Sequence, residues 1–340
     1  MRRLAMTALL CILSLTSVFA VNTKNASQKS TQTETGETLS FISEKTVLSR
    51  EEGMDIKGVL PYIPARYGEF GAELNSQIDK VYKQKVATAK ESKVRMINFS
   101  YEVSDCWGLT SLLIYTTTST TFSKAEVNSF NFIFNEARFA TVEELLGTNG
   151  FKLSQKIITA IVRADTERYF ANFPGLSADQ AFSLTDEEIV FMFDAFQIAP
   201  GSEGIIKFPI KVANIKSVTI ESGVGYWVKN ETYGLKMVSL RDVCEPLGYS
   251  IGWNSVNKTV VVTRPGEQVV QLSPTTNIYV TGKAETPDKV SKRALESSPQ
   301  LVDGKTYVPI SFFDQILDSV VYHVNKDDSI TFSVYDANAE

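Results

Sequence analysis

Residues 237–262, MVSLRDVCEPLGYSIGWNSVNKTVVV, and residues 307–332, YVPISFFDQILDSVVYHVNKDDSITF, carry one apolar pattern twice, at an offset of 70 and with no gap between the copies. Val238 aligns with Val308, Leu240 with Ile310, Leu247 with Leu317, Ile251 with Val321, Val260 with Ile330 and Val262 with Phe332. A repeated supersecondary unit buries its apolar face against its twin. Each copy reads as a short strand, a helix of about two and a half turns (240–247, 310–317), and a hairpin turning at 254–258 or 324–328. The register sets His323, the only histidine in 340 residues, opposite Trp253. Residues at matching repeat positions are read as packing residues, so His323 is expected to pack rather than to catalyse.

Working outward, the repeats define a small α+β domain over 224–335. The polar stretch 281–300 between the copies, with Lys283, Lys289, Lys292 and Arg293, reads as a loop. Ahead of it, residues 41–216 read as an α+β domain, an antiparallel sheet with two packed helices. Leu74, Ile78, Val81, Tyr82, Lys85 and Ala89 recur at helical spacing and predict a helix over 71–92. Strands are expected from Arg95 to Val103, over 109–118, and over 127–135 with Phe130, Phe132 and Phe134 on one face. Thr141 and Glu144 have capping-box spacing for a short turn through Leu146. A second helix from Phe151 to Phe170 is expected to stop at Pro174-Gly175, with strands following at 189–194 and 205–212.

The N-terminus, Met1-Arg2-Arg3 and an apolar run to Ala20, reads as a secretory signal peptide over 1–20, an uncleaved anchor being the alternative. Residues 21–40, VNTKNASQKSTQTETGETLS, have too little apolar surface to offset ordering and read as a flexible tether. Removing Arg2 and Arg3 from 34 basic side chains leaves 32 against 39 acidic ones, a net of −7. No basic field for nucleic acid remains, and no membrane span is expected after signal cleavage. Cys106 and Cys244 survive processing and read as two separately buried thiols, a disulfide being the alternative in an exported protein.

The histidine count removes most chemistry. A nucleophile paired with histidine could involve only His323, whose neighbours Tyr322 and Val324 supply no acid-base partner. Metal sites built on two or three histidines are excluded, and Asp55 and Asp105 lack calcium-loop spacing around them. Glu143-Glu144 and Asp186-Glu187-Glu188 could supply the two acids of a glycoside hydrolase, yet adjacent acids in a turn usually solvate it. Trp107, Trp227 and Trp253 could stack on sugars or pack a sheet. The reading is therefore of no catalytic residues, no metal and no cofactor. The segment singled out for binding is Gln197 to Gly204, where Gln197, Pro200, Gly201 and Gly204 should form an exposed turn between strands.

The runs Met237 to Tyr249 and Asp303-Gly-Lys-Thr-Tyr-Val-Pro-Ile-Ser-Phe-Phe resemble the copper amine oxidase N-terminal-like domain of exported Gram-positive proteins, over about 224–335. Ser239 and Ser311 stand where that family usually has proline and arginine. The resemblance implies an envelope-associated accessory module, and one histidine cannot supply the three copper ligands of amine oxidase catalysis. The stretch Phe182 to Gly204, with Phe134 to Leu146 upstream, resembles the extracellular domain of RsiV-type anti-sigma factors, which also precedes the catalytic part of PdaC-type peptidoglycan deacetylases. This second resemblance covers about 45–215 and implies an α+β fold and, for RsiV, binding of lysozyme. Thr116 to Ser123 replaces the family's Gly-Gly-Ala-His segment, and Gly201 stands where tyrosine is usual. The expectation is a secreted or cell-surface, non-catalytic protein that binds a cell-wall polymer or an extracellular protein. A lysozyme binder and a carboxylate-based peptidoglycan enzyme are the alternatives.

Overall fold

The computed structural model describes residues 41–106, 108–228, 234–283, 286–317 and 319–337. The expected signal peptide and tether, and Trp107, lie outside the described residues, as do the side chains of Lys283 and Lys289. The fold is α+β and divides into two compact units. One comprises residues 41–145 and 157–212 and the other residues 146–156 and 213–337 of those described.

The N-terminal unit begins with a hairpin, β1 (Ser43–Glu51) and β2 (Met54–Tyr62), followed by helix α1 (Gly68–Glu91). Strands β3 (Met96–Cys106), β4 (Leu109–Ser119), β5 (Ser123–Ile133) and β6 (Arg138–Phe139) complete a six-stranded sheet in sequence order. All neighbours are antiparallel except β2 and β3, which run parallel because α1 carries the chain back between them. Gly58 faces Phe99 in that parallel pair, and a Cβ there would overlap the Phe99 carbonyl, so only glycine admits the approach. α1 buries Phe70, Leu74, Ile78, Val86 and Ala89 in a cluster with Ile56, Ile97, Phe99, Leu112, Ile114 and Phe132. Phe134 leaves the strand for a 3-10 turn yet joins the same aromatic group, 4.8 Å from Phe41 and 5.9 Å from Phe70 between ring centres.

Helix α2 (Val142–Ala164) opens with the expected capping box: Thr141 N–H donates to Glu144 Oε2 at 3.0 Å and Glu144 N–H to Thr141 Oγ1 at 3.2 Å. Gly147, at φ 67°, breaks it into the short turn and the longer helix. The helix ends at Ala164, well before Pro174-Gly175. Asp165 leaves helical geometry and its side chain accepts the Arg168 N–H at 3.1 Å, competing with the helix for backbone donors. Strands β7 (Phe182–Leu184), β8 (Glu188–Phe193) and β9 (Ile206–Lys211) form a second antiparallel sheet. β7 and β8 pack on the six-stranded sheet through Asn131 Nδ2, which donates to the Phe182 carbonyl at 2.9 Å, and through Met192 against Leu113 and Val127.

In the C-terminal unit the first elements are β10 (Ile215–Ile220), β11 (Tyr226–Val228), β12 (Lys236–Ser239), α3 (Leu240–Cys244), β13 (Ser250–Asn254) and β14 (Thr259–Thr263). They are followed by β15 (Val269–Leu272), β16 (Ile278–Lys283), β17 (Thr286–Ala294), β18 (Gln300–Val302), β19 (Lys305–Pro309), α4 (Phe312–Gln315), β20 (Val320–Val324) and β21 (Ile330–Tyr335). The sheets run β11-β12-β19-β18, β13-β14-β15-β16-β17 and β10-β21-β20. Both copies contribute to one core, in which Leu240, Leu247, Val260 and Val262 sit with Phe312, Leu317, Ile330 and Phe332. The two helices are shorter than their apolar spacing predicts. Pro246 and Gly248, at φ 89°, end the first, and the second stops at Gln315 with Ile316 as its C-cap.

Two further expectations are corrected. The stretch 281–300 is not a loop, because β16 and β17 pair from Ile278–Ala294 to Gly282–Val290. Lys292 and Arg293 are exposed on β17, the edge strand of its sheet, where charge discourages further pairing and erases the apolar alternation that marks a strand. Trp253 does not pack. It is 58% exposed, whereas His323 is half-buried opposite Thr331. The hairpins explain the difference: Ile251 pairs with Val262, but Val321 pairs with Ser333, one residue past Phe332. The second turn is one residue longer, and a one-residue slip changes which neighbours a side chain meets.

Candidate functional site

Gln197, Pro200, Gly201 and Gly204 fall on the connection between β8 and β9, as the turn chemistry predicts. Buried Ala195, Ile198 and Ala199 pin this connection to the N-terminal unit. The Ala195 N–H donates to the Ala125 carbonyl at 2.9 Å and the Phe170 N–H to the Ile198 carbonyl at 2.8 Å. The Asp194 carboxylate accepts the Val127 N–H at 2.8 Å. Burial pushes the Asp194 pKa up, the Val127 hydrogen bond opposes that, and nearby Glu126 adds to it.

Each candidate residue has a definite local task. Gln197 is exposed, but its Oε1 accepts the Asp194 N–H at 2.9 Å and closes the turn. Pro200, at φ −55°, starts a 3-10 turn over Gly201–Glu203, and Gly204, at φ 67°, ends it in a conformation other residues reach only with strain. Arg168 Nε meets Glu203 Oε2 at 2.9 Å and braces that turn from outside.

The residue that sequence reasoning missed is Phe196. It is 49% exposed, adopts φ 68°, and lays its ring over Gly201 so closely that a Cβ on Gly201 would fall onto it. A left-handed backbone at a bulky residue is uncommon and is held only where the surroundings over-determine it. The alternation of β8 could not have found it, because Phe191 and Phe193 on one face and Met192 on the other are all buried and the strand ends at Phe193.

Other candidates resolve into structural roles. Glu144 completes the capping box and lies 3.3 Å from Arg138, and Asp186 accepts a hydrogen bond from the Cys106 thiol at 3.5 Å. Burial, helped by Asp186, pushes the Cys106 pKa up to about 12, and burial likewise raises that of Cys244. Both cysteines are free, in different units, and protonated thiols are poor nucleophiles. Trp227 is half-buried edge-to-face with Tyr307 at 6.2 Å. Lys236 Nζ reaches Asp328 Oδ1 at 2.5 Å while the Tyr226 hydroxyl donates to Asp328 Oδ2 at 2.8 Å, which fixes the turn before β21. Among the described residues, no three His, Cys, Asp or Glu side chains are grouped to hold a metal ion. No described helix is long and apolar enough to cross a membrane.

Comparison with known proteins bears on both units. A family model described as the copper amine oxidase N-terminal domain matches residues 227–332, and one described as a protein of unknown function, DUF3298, matches residues 146–213. The first match falls within residues 224–335 and the second within residues 45–215, the stretches that carry the two sequence resemblances. A curated protein named protease inhibitor, from Brevibacillus choshinensis, is 32% identical over 95 residues, 28% of this chain and 26% of that protein. The chain therefore spans about a quarter of the length of that relative. Two solved DUF3298-family structures align with 51% of this chain and 91% of their own. One, from Bacteroides fragilis, has 11% identity and a TM-score of 0.33, and the other, from Pseudomonas aeruginosa, 12% and 0.37.

Proposed function

We propose that this chain is an exported, non-catalytic binding protein of a Gram-positive cell envelope, and that its N-terminal unit recognises an extracellular protein through the connection 194–204. The observation that carries this reading is Phe196. A half-exposed aromatic ring held in a left-handed backbone over Gly201 is a rigid anchor of the kind that dominates protein interfaces, since little side-chain freedom remains to be lost on binding. Pro200 and the Arg168–Glu203 pair stiffen the turn beside it. The protease-inhibitor name of the Brevibacillus relative supports a protein partner and makes an extracellular protease the first to test.

A wall glycan is the second reading, favoured by Trp253, whose exposed ring suits stacking on the CH face of a sugar. Titration calorimetry of the full chain against subtilisin-type and trypsin-type proteases, lysozyme and soluble muropeptides separates the readings. Binding to a protein that weakens at least about tenfold in Phe196→Ala supports the first, as expected for a truncated anchor. Binding only to muropeptides, lost in Trp253→Ala, replaces it with the second, and release of new muropeptides would make the chain an enzyme.

A further inference from the structure

We propose that β1 is a self-association edge through which two copies of this chain pair antiparallel and join their six-stranded sheets. β1 stands at the end of the strand order, so one side of its backbone meets no strand among the described residues. Its pairing with β2 is unbroken over nine residues, with no bulge, proline or glycine to blunt the open side. Leu48 on it is 76% exposed. Open edges of this length are templates for another strand unless their charges repel it.

The charges of β1 do the opposite towards a second copy. Backbone groups point outward on every second residue, so antiparallel self-pairing admits only registers in which facing residues are separated by an even number. The register that overlaps the whole strand, Ser43–Glu51, is one of these and puts a two-fold axis at Val47. It sets Glu44 of each copy opposite Arg50 of the other, Lys45 opposite Ser49, and Thr46 opposite Leu48, with no like charges facing. A slip by one residue would face Glu44 with Glu51 and Lys45 with Arg50, and it also breaks the alternation of outward groups. The present partners of these side chains are weak and exposed. Arg50 Nε lies 3.6 Å from Asp55 and Glu44 accepts the Tyr101 hydroxyl at 3.1 Å, so both can turn to a second copy without leaving a buried group unpaired.

Sedimentation equilibrium of the full chain from micromolar to millimolar concentration should show a reversible monomer–dimer equilibrium. Arg50→Glu should raise the dissociation constant about tenfold or more, because two attractive pairs become two repulsive ones. The swap Glu44→Arg with Arg50→Glu should restore it, and that recovery distinguishes pairing of these residues from a general effect of charge. A chain monomeric throughout, an equilibrium indifferent to Arg50→Glu, or a swap that fails to rescue would each overturn the proposal. So would a monomer whose β1 protections from hydrogen exchange appear only with an added foreign peptide.

Discussion

Val238 of β12 and Val308 of β19 are direct antiparallel partners, and they are also equivalent residues of the two repeat copies. A residue that pairs with its own equivalent places a local two-fold axis between the copies. Both side chains are fully buried in the shared core beside Tyr226 and Leu240. Val238→Ala and Val308→Ala should each destabilise the chain by about 2 kcal/mol, from lost transfer energy and the space left behind. Because the two sites touch, the double substitution should depart from the sum by more than about 0.5 kcal/mol. Urea unfolding followed by tryptophan fluorescence measures all three, and strict additivity would contradict the shared cavity.

The repeat was legible because buried positions recur at one offset and burial is what an apolar pattern reports. Helix α1 and the strands with Phe99, Phe132 and Phe191 were legible for the same reason. Trp253 was misread because the pattern cannot register a turn one residue longer, and β17 because an edge strand that carries Lys292 and Arg293 shows no alternation. At the candidate site, Pro200, Gly201 and Gly204 announced a turn, but they said nothing of Phe196. A left-handed backbone at phenylalanine arises from the anchors on either side, Ala195 and Ile198, and not from its own preference.

Gly201 and Phe196 should behave as one unit. Gly201→Ala places a methyl on the Phe196 ring and should cost about 1–3 kcal/mol, as overpacking does. Phe196→Ala alone should change stability little, since half of its ring is in solvent. The double substitution removes the clash and should be more stable than Gly201→Ala alone. Thermal unfolding of the three variants checks the order, and a double variant no better than Gly201→Ala would mean that the strain lies in the backbone.

Both thiols should be inert in the folded chain. Burial holds Cys106 near a pKa of about 12, so almost none of it is thiolate at pH 8, and Cys244 is buried and shifted the same way. A chromogenic disulfide reagent at pH 8 should label neither in native buffer and both in guanidinium. Labelling of one equivalent in native buffer would show that Cys106 opens to solvent at the end of β3, and no labelling in guanidinium would show the two joined.

The Asp194 carboxylate gives the connection between β8 and β9 a pH dependence whose sign follows from its burial. An acid whose folded pKa lies above its ordinary value binds protons more readily folded than unfolded. Stability therefore falls as pH rises from the ordinary value of 3.8 through the raised folded value. Asp194→Asn keeps an oxygen to accept the Val127 N–H but cannot ionise. The variant should match the natural chain at pH 3, gain on it as pH rises from 3.8 through the raised folded value, and keep that gain up to neutrality. Melting temperatures measured in parallel across that range read the difference directly. A gap that stays constant with pH would show that the Asp194–Val127 hydrogen bond, and not the cost of burying the charge, governs how firmly the Phe196 loop is held.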